Sequence, residues 1–202
     1  MIGIIDYGAG NLRSVYNAFQ YLGQNVCVCT KPDELDYVDK IVLPGVGASK
    51  DAMQGLRQNG FIEPLLRNIK EGKDFLGICL GLQLLFNRSF EFGSNECLGL
   101  LKGEVKLFKP LNELKVPQIG WNTVKFIGAP CPVFKGIKDN SYFYFVHSYY
   151  CDNEESKFTL GETEYGIIYT SAIWKENVYA VQFHPERSQK NGLKILTNFG
   201  GL

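Results

Sequence analysis

Four short apolar runs punctuate the first eighty positions: IGIID at 2–6, VCVCT at 26–30, KIVLP at 40–44 and DFLGI at 74–78. Each is rich in β-branched or aromatic side chains, and Gly or Pro stands nearby before apolar residues begin to recur at spacings of three and four. That change of period marks a strand handing over to an amphipathic helix. The predicted helices cover 11–22, closed by Gly23, then 49–58, 62–70 and 80–87, with the closing glycine in the usual position after a helix end. Strand and helix in alternation build a mainly parallel sheet with helices laid over it.

The second half has a different texture. EVKLF, NTVKF, SYFYFVHSYY, GIIYTSAIW and NVYAVQF follow one another with short gaps, and only then does an amphipathic stretch return near 189–199. These runs predict antiparallel strands and hairpins added to the sheet, one of them turning at Lys175-Glu176-Asn177. No repeat, low-complexity tract or linker divides the chain, so residues 1–202 are expected to form a single α/β domain.

Composition narrows the functions available. In 202 residues, 45% hydrophobic, 21 basic side chains balance 21 acidic ones, which suits one well-filled core but supplies no field for nucleic acid or an anionic membrane. The opening MIGIID lacks a charged leader, and no stretch approaches the roughly 20 apolar residues of a membrane span; a cytoplasmic location is expected. The six cysteines, Cys27, Cys29, Cys79, Cys97, Cys131 and Cys151, are expected to be reduced thiols. The two histidines, His147 and His184, stand outside any cluster at metal-ligand spacing, so neither metal nor cofactor is predicted.

One segment concentrates chemistry. In DFLGICLGLQLLF a buried strand passes through Gly77-Ile78-Cys79-Leu80-Gly81 straight into a helix. Glycines on both sides allow a turn too tight for side chains, which lifts the central residue into an exposed, strained position at a helix start. A thiol there is favoured as thiolate. A thiolate nucleophile needs a base, and the base needs a group to orient it. His184 ends the strand VYAVQF and is followed by Pro185 and Glu186; in extended chain, residues two apart share a face, so imidazole and carboxylate are neighbours. His147, in FVHSYY, has no such carboxylate.

Gly77-Ile78-Cys79-Leu80-Gly81-Leu82-Gln83 together with Gln182-Phe183-His184-Pro185-Glu186 resembles the paired signatures of class I glutamine amidotransferases, across nearly the whole chain. Asp6-Tyr7-Gly8-Ala9-Gly10-Asn11, Pro117-Gln118-Ile119-Gly120-Trp121-Asn122 and Phe145-Val146-His147-Ser148-Tyr149 are similar to the glutaminase subunits of imidazole glycerol phosphate synthases. The resemblance implies a flavodoxin-like or Rossmann-like α/β fold, glutamine as substrate, a cyclase barrel as partner and a place in histidine biosynthesis.

By match of motif, Cys79 is the acyl-accepting nucleophile, His184 the base and later acid, and Glu186 its orienter. Pro44-Gly45-Val46-Gly47 corresponds to the oxyanion strand, a backbone N–H at Val46 acting with that of Leu80. Gln83 and Glu91 correspond to groups that grip the amino-acid end of glutamine, and the backbone of His147, Ser148 and Tyr149 to its carboxylate contact. Glu91 rests on its spacing from Cys79 alone, the other reading being an exposed carboxylate at a helix end. Asn11, Trp121, Tyr144 and Arg187 correspond to the partner-facing surface; Lys is the more usual residue where Arg187 stands, which changes the geometry of any salt bridge there. Gly8-Ala9-Gly10 lacks the third glycine of a dinucleotide fingerprint, Arg13 standing in its place, so no nucleotide site is expected. The alternatives are a paralogous subunit feeding another synthase, a silent regulatory module and a stand-alone Cys hydrolase.

Overall fold

The computed structural model describes residues 1–8, 10–109 and 114–202; Ala9, within the Gly8-Ala9-Gly10 turn, lies outside them. In chain order the strands are β1 Ile2–Ile5, β2 Val26–Cys29, β3 Lys40–Gly45, β4 Asp74–Cys79, β5 Arg88–Ser89, β6 Asn95–Glu96, β7 Gly103–Leu107, β8 Gln118–Phe126, β9 Ser141–His147, β10 Tyr149–Asn153, β11 Thr159–Glu164, β12 Ile168–Lys175 and β13 Val178–Val181. The α-helices are α1 Leu12–Tyr21, α2 Ser49–Gln58, α3 Ile62–Lys70, α4 Leu80–Gln83 and α5 Gln189–Gly200.

The sheet runs β2-β1-β3-β4-β13-β12-β10-β7-β5-β6, with β11, β8 and β9 branching from β12. β2, β1, β3, β4 and β13 are parallel neighbours. The alternation along these strands sorts side chains onto two faces: Phe75 joins the cluster built with Met53, Leu56 and Leu65 of α2 and α3, while Leu76 and Ile78 join Val15 and Phe19 of α1 and Ile195 and Phe199 of α5. The predicted hairpin closes through Glu176-Asn177, since Lys175 pairs with Val178.

Three expectations need correction. The strand VYAVQF is not only an antiparallel addition: β13 is antiparallel to β12 but parallel to β4, in the middle of the sheet. The run SYFYFVHSYY is two strands, because the chain changes partners at Ser148. His147 pairs with Gln118 of β8, whereas Tyr149 pairs with Leu107 of β7. The helix expected over 80–87 has one α turn, then tighter turns. Past Gln83 the bonds tighten to three-residue turns, Leu85 N donating to Leu82 O (3.1 Å) and Phe86 N to Gln83 O (3.3 Å), and the next carbonyls are taken from outside: Leu84 O by Leu98 N (2.8 Å), Leu85 O by Leu101 N (2.9 Å) and Phe86 O by Gly99 N (2.9 Å).

Candidate active site

The carboxyl ends of β3, β4 and β13 meet at one edge of the parallel sheet, where loops leave neighbouring strands and a crevice forms. Register brings the chemistry together: Gly45 stands opposite Cys79, and Val181 opposite Ile78, so 182–186 emerges beside the nucleophile.

Cys79 holds φ +54, a conformation that costs a residue with a Cβ about 1–3 kcal/mol. Close packing keeps it there. A Cβ on Gly77 would lie 2.8 Å from Gly81 O, and one on Gly81 only 2.0 Å from Leu43 O, so the start of α4 is pressed onto β3 and β4. The Cys79 sulfur lies 3.9 Å from Val146 O and 3.6 Å from Nε2 of Gln182. Leu80 opens α4, where the first N–H groups have no partner within the helix. Val46 is half exposed just beyond β3, and Gly47 holds φ +92.

His184 is buried, its Nδ1 2.9 Å from Oε1 of Glu186. Its backbone is pinned to β9: His184 N donates to Tyr144 O (2.9 Å), Ser188 Oγ donates to His184 O (2.6 Å), and Tyr144 N donates to Ser188 Oγ (2.9 Å). Burial pushes the imidazole toward the neutral form, but hydrogen bonding and charge from Cys79, then from Glu186, outweigh it and raise the pKa to about 10. The ring is therefore a proton-loaded group between the Cys79 sulfur and the Glu186 carboxyl, placed to give its proton to a leaving group.

His147 behaves oppositely. Burial drives it down to about 4, only partly opposed by the Tyr149 carbonyl. Its Nδ1 lies 2.7 Å from Tyr149 O and its Nε2 3.2 Å from the Tyr169 hydroxyl, which also contacts Gln118 Oε1 at 3.0 Å. This histidine is a neutral strut inside the sheet.

The other expected residues surround this centre. Gln83 Nε2 donates to Tyr149 O and to Gln182 Oε1, both at 3.0 Å. Glu91 sits on the loop after β5, not at a helix end; its Oε2 accepts the backbone N–H of Ser49 at 2.8 Å, two residues beyond Gly47. The Tyr149 hydroxyl is raised first by burial and then by the Glu91 charge, which places the phenol beside that carboxylate. The carbonyl of Ser148 is occupied by Phe108 N (3.0 Å).

Trp121 and Tyr144 pair across β8 and β9 with ring centroids 5.9 Å apart, and Ile119 and Tyr142 extend an exposed apolar face there. Arg187 is exposed on the 185–187 turn, which packs against both β9 and α1, the helix that Asn11 precedes. Among the described residues no group of three or more His, Cys, Asp or Glu is arranged to hold a metal.

Sequence reading missed the contact of Gln182 with the sulfur and the Tyr169–Gln118 support of His147. The first was within reach: Gln182 stands two residues before His184 in extended chain, so the alternation that placed Glu186 also places Gln182 near Cys79. The second depends on strands brought together from distant sequence.

Comparison with known proteins gives the family and the fold. Residues 3–200 match the family model described as glutamine amidotransferase class-I. The chain is 47% identical, over 207 residues covering 100% of both, to the imidazole glycerol phosphate synthase subunit HisH of Syntrophotalea carbinolica. It is 50% identical, over 99% of this chain and 93% of the relative, to the protein of the same name in Desulfitobacterium hafniense. Among solved structures, a PurLQS chain from Thermotoga maritima superposes with TM-score 0.79 at 18% identity, covering 98% of this chain and 96% of that one. A crystal structure of a glutamine amidotransferase gives TM-score 0.76 at 18% identity over 100% and 99%; at such identities these two speak for the fold.

Proposed function

Because the chain belongs to the class I glutamine amidotransferase family, we propose that it is the glutaminase subunit of an imidazole glycerol phosphate synthase, hydrolysing glutamine and delivering ammonia to a cyclase barrel in histidine biosynthesis. The observation that carries this reading is the single constellation at the sheet edge: a strained Cys79 flanked by a proton-loaded His184 that Glu186 holds at 2.9 Å.

In this reading the Cys79 sulfur attacks the side-chain amide carbon of glutamine and the C=O electrons move onto oxygen. The N–H groups at Val46 and Leu80 receive that charge; one such donor is worth about 10²- to 10³-fold in turnover. As the C–N bond breaks, His184 gives its proton to the departing nitrogen, and ammonia leaves behind a glutamyl thioester. His184 then takes a proton from water, the oxygen attacks the thioester, the C–S bond breaks, and glutamate is released. Gln83, Glu91 and the 147–149 backbone hold the amino-acid end; Gln83 meets the Tyr149 carbonyl and Gln182, and Glu91 meets the Ser49 N–H beside the Tyr149 phenol.

The chain acts as one amidotransferase domain over 1–202 in the cytoplasm; none of its described helices is long and apolar enough to cross a membrane. Asn11, Trp121, Tyr144 and Arg187 form the barrel-facing surface, favoured by the exposed aromatic pair beside the 185–187 turn. Glutamate release is measured for the chain alone, with the cyclase subunit, and with that subunit plus its nucleotide substrate. Slow hydrolysis alone and a large rise in the full complex are expected. Full activity in the isolated chain, unchanged by the partner, overturns the subunit assignment; a rise only with a different synthase reassigns the acceptor.

A further inference from the structure

Besides His184 and the Val146 carbonyl, the Cys79 sulfur has a polar neighbour in Gln182, whose orientation is dictated from far away. The Tyr149 backbone carbonyl is solely an acceptor. It takes Nδ1–H of the neutral His147 (2.7 Å) and one N–H of the Gln83 amide (3.0 Å). Gln83 must therefore present its NH₂ end, whose other hydrogen goes to Oε1 of Gln182 (3.0 Å). With its carbonyl end fixed in this way, Gln182 turns its own NH₂ to the Cys79 sulfur at 3.6 Å. The polarity of both amides thus follows from a backbone carbonyl and not from a choice of amide flip. Gln182 is fully buried, at 0% exposure, so water does not compete for its hydrogens. The nearby Tyr7 hydroxyl is committed to Pro44 O at 3.1 Å.

We propose that Gln182 is a catalytic residue of this site, a neutral hydrogen-bond donor that holds negative charge on the Cys79 sulfur alongside His184, and that Gln83 and the Tyr149 carbonyl serve to aim it. The inference rests on Cys79 being the nucleophile. A hydrogen bond to an anionic acceptor is stronger than one to a neutral one. The donor therefore strengthens when the sulfur carries charge, weakens when the sulfur is tied up in the thioester, and strengthens again as the C–S bond breaks. It assists both the entry and the departure of the sulfur.

The test is the pH dependence of alkylation of the full-length chain by iodoacetamide, with the modified cysteine identified by mass spectrometry, in the parent, Gln182→Met and Gln182→Glu. Losing a donor to a charged group lowers the thiolate fraction by about tenfold on the acidic limb. The freed thiolate is at the same time about threefold more nucleophilic. The Gln182→Met curve should hence run about threefold below the parent at low pH and about threefold above it on the alkaline plateau, so that the two cross. Gln182→Glu keeps the size and the acceptor for Gln83 but sets a carboxylate where the donor stood, so it reads loss of the donor together with like-charge repulsion. A donor role predicts a curve displaced further to alkaline pH. A Gln182→Met curve superimposed on the parent, or a restored Gln182→Glu curve, overturns the proposal while leaving Cys79 as nucleophile. If another cysteine reacts faster than Cys79 in the parent, the nucleophile assignment itself fails. Should neither variant fold, the side-chain amide resonances of Gln182 in the parent provide the readout. They should move with pH in step with Cys79 alkylation, and amide resonances that ignore it overturn the proposal.

Discussion

With only two histidines in the chain, both buried and shifted in opposite directions, acid stability reports on one of them almost alone. His147 lies at about 4 in the fold against an ordinary 6.5. Between those values the unfolded chain binds a proton that the folded chain refuses, so the contribution is complete above 6.5 and is lost as pH falls toward 4. At about 1.4 kcal/mol per pH unit, the interval amounts to about 3 kcal/mol. His147→Gln removes the titration while keeping an amide able to face the Tyr149 carbonyl. Carboxylates titrate in the same range in both proteins, so the quantity to follow is the difference in urea-unfolding free energy between parent and variant from pH 7 to about pH 4. It should change by about 3 kcal/mol against the parent. A difference constant across that range refutes the picture of a neutral, buried strut. His184 carries the opposite sign: its raised pKa of about 10 contributes stability present below 6.5 and lost as pH rises through about 10. His184→Gln should flatten that alkaline limb and leave the acid limb intact.

The remaining predictions concern the elbow and its base. Cys79→Gly should abolish glutamine hydrolysis yet stabilise the fold by about 1 kcal/mol, because glycine accepts φ +54 without strain; a loss of thermal stability would contradict the strain assignment. Gly81→Ala should destabilise by about 3 kcal/mol or more, since its Cβ meets Leu43 O at 2.0 Å and backbone must move; calorimetry decides. His184→Ala should lower turnover of the assembled complex by about 10²-fold or more. Glu186→Gln should be milder, since an amide still reaches Nδ1; equal losses for the two would show that charge, not orientation, is what Glu186 supplies.

The amino-acid sequence on its own determined four strands of the parallel half of the sheet, β1 to β4, because runs such as KIVLP and DFLGI are buried on both faces and leave an unbroken apolar signature. It determined the elbow as well, since glycines four apart around Cys79 state a steric requirement that is local to the chain. The His184–Glu186 contact follows from two-residue spacing and needs no distant partner. Only the tertiary structure decided where the antiparallel half attaches. β11, with Thr159, Gly161, Glu162 and Thr163, has no apolar signature and is held by its neighbours, as in the Thr163–Ser171 hydroxyl contact of 2.8 Å. The two-residue strands β5 and β6 are too short to show a period. α4 tightens into three-residue turns after Gln83, the carbonyls beyond it are taken by backbone from 98–101, and LGLQLLF contains nothing to announce that end. The different states of the two histidines were likewise beyond the sequence: a pKa is set by burial and by facing charges, and those come from strands that meet only in the folded chain.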